Sequence, residues 1–199
     1  MLETAREVLT LLKAKGVLTL TPTRDQVPSL VGLVAGDVRG SWWGHPRGSL
    51  VFNIATALEE RPDVLVAKLV AGKVTFVHAA LFAPLFRVVT DAAFVARALA
   101  GIPVPTARLH ARVDREGTLR EDEFLGDAGP DAKRAHKKQR DALEKRALLL
   151  SQSEHTHAGH HATVLRSWNA WATPQVKEAA ALLDYDGAHA TLKDHGLDF

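Results

Sequence analysis

The spacing of hydrophobic residues changes repeatedly along the first half of the chain, and each change predicts a different element. In residues 2–15 the apolar side chains recur every three or four positions, as on one face of a helix, and Gly16 follows. Residues 17–21 alternate between apolar and polar side chains, as in a short strand that Pro22 ends. We predict in this half a helix, a strand, two helices, a β-hairpin and a trailing helix that is kinked at Pro84. In chain order these elements cover residues 2–15, 17–21, 25–35, 49–60, 64–78 and 79–100.

The same order of patterns recurs in the second half. The pentapeptide ALEER at 57–61 precedes an apolar run and an Ala-Gly turn, and ALEKR at 142–146 does so as well. A two-residue turn between two strand-like segments predicts a β-hairpin. We predict in the second half a helix, a short strand, two helices, a hairpin and a C-terminal helix. In chain order these elements cover residues 106–116, 118–120, 121–125, 131–146, 148–166 and 175–184.

Short helices followed by a longer helix and a β-hairpin are typical of a winged helix, which is a helix-turn-helix with a hairpin attached. We therefore predict an α+β protein with two winged-helix units in tandem. The first unit with its trailing helix is expected at residues 1–100, followed by a stiff proline-containing linker at 101–105. The second unit is expected at 106–173, and a C-terminal helix with a polar tail at 174–199.

Composition narrows the class of protein. The 199 residues include no cysteine, which excludes disulfides, thiolate catalysis and cysteine-ligated metal sites. The N-terminal segment lacks the features of a signal peptide, and no apolar run reaches the ~18 residues of a membrane span. We expect a cytoplasmic protein without a membrane partner. The formal net charge of +2 directs attention to local clusters of charge.

The predicted helix at 131–146 is strongly basic. At about 100° per residue, Lys133, Lys137 and Arg140 share one face, while Ala135, Ala142 and Leu143 suit a core stripe on the other side. In a winged helix this element enters the major groove of DNA. We therefore expect double-stranded DNA as the partner, bound by the cations Lys133, Arg134, Lys137, Lys138 and Arg140. The alternative is a solvated helix face without a ligand.

A second candidate DNA contact is the loop GSWWGHPRG at 40–48. Trp42 and Trp43 have rings that stack on bases, with His45 and Arg47 beside them. A Trp pair in a glycine-rich loop also commonly anchors that loop on a core. The apolar helix at 49–60 supports an alternative function, a non-enzymatic protein–protein adaptor or homodimerisation module built on winged-helix units.

Histidines cluster in the sequence EHTHAGHH at 154–161. A two-residue turn brings His155, His157 and His160 to one face of a hairpin, where zinc or another divalent transition metal finds three nitrogen ligands. His110 or His136 is a candidate fourth ligand. The alternative is a solvated hairpin tip, and the primary expectation is that the protein has no cofactor.

The sequence favours a protein that is not an enzyme. It contains no phosphate-binding glycine loop, nucleophile elbow or zinc-protease helix. The acidic run Glu121-Asp122-Glu123 suits the start of a short helix. The segment GVLTLTP after the first helix resembles the start of bacterial winged-helix alkylpurine DNA glycosylases. In that family the strand carries the catalytic polar residues in a Gln-x-Asp or Gln-x-Gln pattern. Thr19 and Thr21 stand at the matching positions here, so the resemblance implies a DNA-binding scaffold without that chemistry.

A second resemblance covers the segments SWWGHPRGSLVFNIATALEERPDVLVAKLVAGKVTFVH and EHTHAGHHATVLRSWNAWA. These segments resemble blocks of an uncharacterised bacterial tandem winged-helix family, which implies no mechanism. The resulting hypothesis is a DNA-binding regulator or DNA-repair accessory protein.

Overall fold

The chain is an α+β protein with two small antiparallel sheets of three strands each, which confirms the predicted α+β class. The computed structural model describes residues 1–24, 27–155 and 161–199, with backbone alone at 154, 155 and 161. No single helix in these ranges has the length and apolarity to cross a membrane. Two consecutive helical segments, Ala79–Val89 and Ala92–Leu99, have that length and apolarity only when they are counted together, and they meet at a bend of 71°.

The chain divides into two compact units. The first comprises Met1–Leu85 and Asp186–Asp198, and the second comprises Phe86–Tyr185 and Phe199. The division therefore falls earlier than the predicted linker at 101–105, which lies within the second unit.

The first unit places three helices beside a three-stranded sheet. Thr4 caps the first helix by accepting a hydrogen bond from the Glu7 N–H, while the Glu7 carboxylate accepts from the Thr4 N–H. The sheet order is first strand, third strand, second strand. The elements are α1 (Ala5–Lys15), β1 (Val17–Thr19), α2 (Leu30–Ala35), α3 (Gly48–Glu59), β2 (Val64–Val70) and β3 (Lys73–His78).

The hairpin of the first unit turns where predicted. Ala71 and Gly72 connect β2 to β3 with φ angles of 49° and 68°, so both residues are left-handed, as a tight hairpin turn requires. The core of the unit lies between the helices and the sheet, where Leu12, Leu30 and Phe76 are almost completely buried. Burial of each such side chain stabilises the fold by about 1.5–3 kcal/mol.

The second unit repeats the order of the first. Helix, strand, two helices and a pair of strands follow one another, and the sheet again has the order first, third, second. Helix α4 (Phe82–Val89) crosses the division after Leu85. The further elements of the second unit are α5 (Ala92–Leu99), α6 (Val104–Glu116), β4 (Thr118–Arg120), α7 (Glu121–Leu125), α8 (Pro130–Glu144), β5 (Leu150–His155), β6 (His161–Arg166), α9 (Trp168–Trp171) and α10 (Pro174–Ala181).

Several regions differ from the predicted elements, and the helix predicted at 25–35 begins only at Leu30. The predicted helix at 79–100 is a short 3-10 turn followed by α4 and α5, and the break comes at Asp91 instead of Pro84. Asp91 ends the continuity because its carboxylate accepts hydrogen bonds from the N–H groups of Ala93 and Phe94 and so caps a new helix.

The predicted polar tail contains a further helix, α11 (Tyr185–Asp194), most of which belongs to the first unit. Leu192 and Leu197 are buried, although only a few apolar residues occur there. His195 lies over the end of α1, and its Nδ1 is 2.7 Å from the carbonyl oxygen of Lys15. A Cβ at Gly16 would lie 2.8 Å from that nitrogen, so this close approach requires glycine.

Candidate nucleic-acid interface

Helix α8 displays four of the five predicted cationic contacts. Lys133, Arg134, Lys137 and Lys138 are exposed, whereas His136 and Leu143 on the same helix are buried. The burial pattern therefore turns one face of α8 toward the core of the second unit and leaves a cationic surface outside. We call Lys133, Arg134, Lys137 and Lys138 the α8 cationic surface.

The fifth predicted contact, Arg140, does not belong to that surface. Its side chain is 13% exposed, and its Nη1 donates to Glu121 Oε2 at 2.7 Å. Its Nε lies 3.8 Å from Glu144 Oε2. The prediction that Arg140 shares an outward face with Lys133 and Lys137 is therefore corrected, because two buried carboxylates draw the guanidinium inward.

The inner face of α8 is more polar than the predicted stripe of Ala135, Ala142 and Leu143. Ala135 is exposed, and His136 takes an inner position, where its Nε2 donates to Glu121 Oε1 at 2.8 Å. The His136 ring also meets the edge of Phe124, with ring centroids 4.8 Å apart. His136, considered earlier as a metal ligand, is thus engaged with a carboxylate.

Glu121 is charged at the centre of this group. Burial by itself raises the pKa of its carboxyl, but the hydrogen bond from His136 and the positive charge of Arg140 outweigh burial. The pKa of Glu121 is therefore below its ordinary value. Glu144 is also buried and accepts a hydrogen bond from the Ser151 hydroxyl. Sequence reasoning missed this arrangement, although the spacing of His136, Arg140 and Glu144 places all three on one helix face.

The acids of α7 are matched by a nearby arginine. Arg120 Nη2 lies 3.0 Å from Asp122 Oδ2, and Arg120 Nε lies 3.1 Å from Glu123 Oε1. These carboxylates therefore form ion pairs in addition to complementing the helix dipole. Together with the pairing of Glu121 and Arg140, these contacts offset part of the negative charge of α7.

Within the α8 cationic surface, only Arg134 has a close acidic neighbour among the described residues. Arg134 Nη1 is 3.5 Å from Asp131 Oδ1, and both side chains are largely exposed, so the pair is weak. Lys133, Lys137 and Lys138 form no ion pair with any residue that the structure describes. Three mobile ammonium groups are thus available to a polyanion.

The tryptophan loop of the first unit has a different character. Trp42 and Trp43 stack with ring centroids 4.2 Å apart, and Trp42 packs on the core of the unit. Trp43 is 64% exposed and contacts Phe52, which is 48% exposed, at 5.6 Å between centroids. We call Trp43 and Phe52 the aromatic patch.

The two predicted polar contacts in this loop have structural partners. Arg47 donates through Nη2 to the carbonyl oxygen of Leu2 at 3.2 Å and lies 3.5 Å from Glu3. His45 Nδ1 accepts a hydrogen bond from the Arg47 backbone N–H at 3.2 Å. The loop therefore displays one aromatic ring, while Arg47 ties its base to the N-terminal segment.

The predicted histidine site lies mostly outside the described residues. His157 and His160 fall in the segment 156–160, and at His155 only the backbone is described. In the part of the chain that the structure does describe, no group of three or more His, Asp or Glu side chains is arranged to hold a metal ion. The zinc hypothesis for His155, His157 and His160 stays a prediction.

The strand that resembles the glycosylase strand is closed to solvent at its end. Thr19 is fully buried in β1, and its N–H donates to the carbonyl oxygen of Pro28 at 2.9 Å. The Thr19 hydroxyl is therefore closed to solvent in this structure. Searches against protein-family models, curated proteins and solved structures find no match to this chain.

Proposed function

We propose that this protein binds double-stranded DNA through α8 and that both units are winged helices. The proposal is supported by the shared order of helix, strand, two helices and two strands, together with the shared sheet order. In helix-turn-helix proteins the corresponding helix lies in the major groove. In this proposal α8, which precedes the strand pair of the second unit, corresponds to that helix.

The observation that carries the proposal is the α8 cationic surface. Its three lysines are exposed and have no acidic partner among the described residues. Each lysine that contacts a phosphate releases condensed counterions, and this release drives binding that does not depend on sequence. The buried Arg140 serves a separate purpose, because it holds α8 to α7.

Among the described residues of the first unit, α3 carries no equivalent surface. The exposed positions of α3 include Phe52 and Asn53, and the helix ends at acids Glu59 and Glu60. Arg47, the cation nearest the start of α3, is bound to the N-terminal segment. The proposed electrostatic attraction to DNA therefore comes from the second unit.

Fluorescence anisotropy with a labelled random-sequence duplex tests the proposal. With about four phosphate contacts, affinity should fall by about 100-fold between ~50 mM and ~200 mM salt, since each contact contributes about −0.9 to the slope of log K against log salt. Binding that is absent at low salt would refute the proposal.

Charge reversal locates the contact. The variant K133E/K137E/K138E should lose binding, whereas the control R6E/K15E/K73E should keep it. The control makes the same change of net charge at exposed positions of the first unit. Equal loss in both variants would show attraction by overall charge, and equal retention would exclude α8 as the interface.

The aromatic patch favours a second function, a protein–protein adaptor or homodimer. An exposed pair of large aromatic rings in contact is the kind of surface that marks a protein interface. Sedimentation velocity over a range of concentrations should then show a dimer that W43S/F52S abolishes. The control L182S changes an apolar side chain of the second unit that is 87% exposed and should leave the dimer intact.

A further inference from the structure

A cavity of about 450 Å³ lies within the second unit. It is bounded by α5, by α6 and by the residues around the start of α9, and its volume is within the range of small-molecule sites. Its apolar wall includes Val95, Leu99, Leu148 and Trp168. Its polar wall includes His110, Asp114, Ser167 and Asn169. An apolar body with one polar end matches this division.

The ionisable side chains of the lining are His110 and Asp114, which are one turn apart on the same face of α6. Burial lowers the pKa of His110, and the nearby Asp114 carboxylate opposes this only in part. The imidazole is therefore neutral at neutral pH. Asp114 is exposed to solvent and forms no ion pair with another described residue, so its carboxylate is the acidic group that the cavity presents to a ligand.

The apolar wall is held in place by a specific contact. Trp168 is 4% exposed, and its Nε1–H donates to the carbonyl oxygen of Ala147 at 2.7 Å. Trp171 meets the edge of its ring, with centroids 5.4 Å apart. A site with walls that are already positioned loses little conformational entropy when a ligand binds.

We propose that this cavity binds a small organic amine, with its apolar body against Leu99, Leu148 and Trp168 and its ammonium group at Asp114. An ammonium group complements the Asp114 carboxylate, and the imidazole of His110 accepts a further hydrogen bond. A carboxylate ligand would meet repulsion at the same position. The inference does not depend on DNA binding by α8.

Isothermal titration calorimetry with three amines tests the ligand class. We would titrate the full-length protein with tryptamine, phenethylamine and cyclohexylmethylamine, and compare tryptamine with its neutral and anionic analogues, tryptophol and indole-3-propionate. The expected order of affinity is amine, then neutral analogue, then anion, with at least a tenfold difference between the first and last. Absence of binding by all three amines, or preference for the anion, would overturn the proposal.

Two substitutions on α5 locate the site. Ala96 lines the cavity and Ala93 does not, although both are exposed alanines of the same helix. The A96F variant should lose amine binding and A93F should retain it, with the circular dichroism of both unchanged. D114N should bind tryptamine and tryptophol equally well. Amine binding that survives A96F would place the ligand elsewhere, and an undiminished preference for amine in D114N would exclude the assigned contact.

Discussion

Arg140 Nη1 and Glu121 Oε2 lie 2.7 Å apart, and each side chain is only 13% exposed. This ion pair joins the start of α7 to the inner face of α8. Together with the buried His136 and Leu143, it holds the inner face of α8 against the second unit, and the lysines of the α8 cationic surface lie outside. The same pair removes one predicted cation from that surface.

We expect R140A to destabilise the protein by about 3–5 kcal/mol, because loss of one partner leaves a buried carboxylate without its cation. Urea unfolding followed by circular dichroism measures the change. The exposed R134A variant of the same helix should change stability by less than about 0.5 kcal/mol. Equal stability of the two variants would mean that the Arg140 pair contributes nothing to folding.

The lowered pKa of Glu121 predicts a dependence of stability on pH. Because the folded pKa lies below the ordinary value of 4.5, the unfolded chain binds a proton more readily. The contribution of Glu121 is complete above pH 4.5 and is lost as the pH falls through the lower, folded pKa. Urea unfolding at a series of acidic pH values should show a shallower decline for E121Q than for the unaltered protein. Parallel declines would contradict this assignment.

Substitution at the turn of the first hairpin should stabilise the first unit. Ala71 is exposed at a φ of 49°, a left-handed conformation that alanine adopts at a cost and asparagine adopts readily. We expect A71N to raise the free energy of unfolding by about 0.5–1 kcal/mol. A71V, with a branched side chain, should lower it. A stabilising A71V would show that the turn conformation is not limiting.

Removal of one acid should strengthen the proposed DNA contact. Asp131 is the acidic neighbour of Arg134, and their separation of 3.5 Å partly compensates that guanidinium. D131N should raise affinity for a random duplex roughly two- to fivefold at low salt, in line with the strength of exposed ion pairs. The anisotropy titration described above measures this increase. Unchanged affinity would indicate that Arg134 does not contact the DNA.

The order of elements was readable from the chain because it depends on local patterns. The helix at 5–15 and the hairpin strands at 64–70 and 73–78 follow the spacing of apolar residues and the turn residues closely. Breaks that depend on one side chain were harder to place. In residues 79–100 both Pro84 and Asp91 are candidates for the break in the helix. The break comes at Asp91, because Pro84 lies in the first turn of α4, where proline is well tolerated.

What the sequence determined by itself was the α+β class, the repeated order of elements and the cationic character of the helix that became α8. Each of these depends on residues within one or two turns of one another. Only the tertiary structure decided that Arg140 faces Glu121, that the polar tail includes α11 of the first unit, and that His110 and Trp168 line one cavity. These outcomes join residues that are distant in sequence, and the burial of charge and apolar surface that selects them is a property of the assembled core.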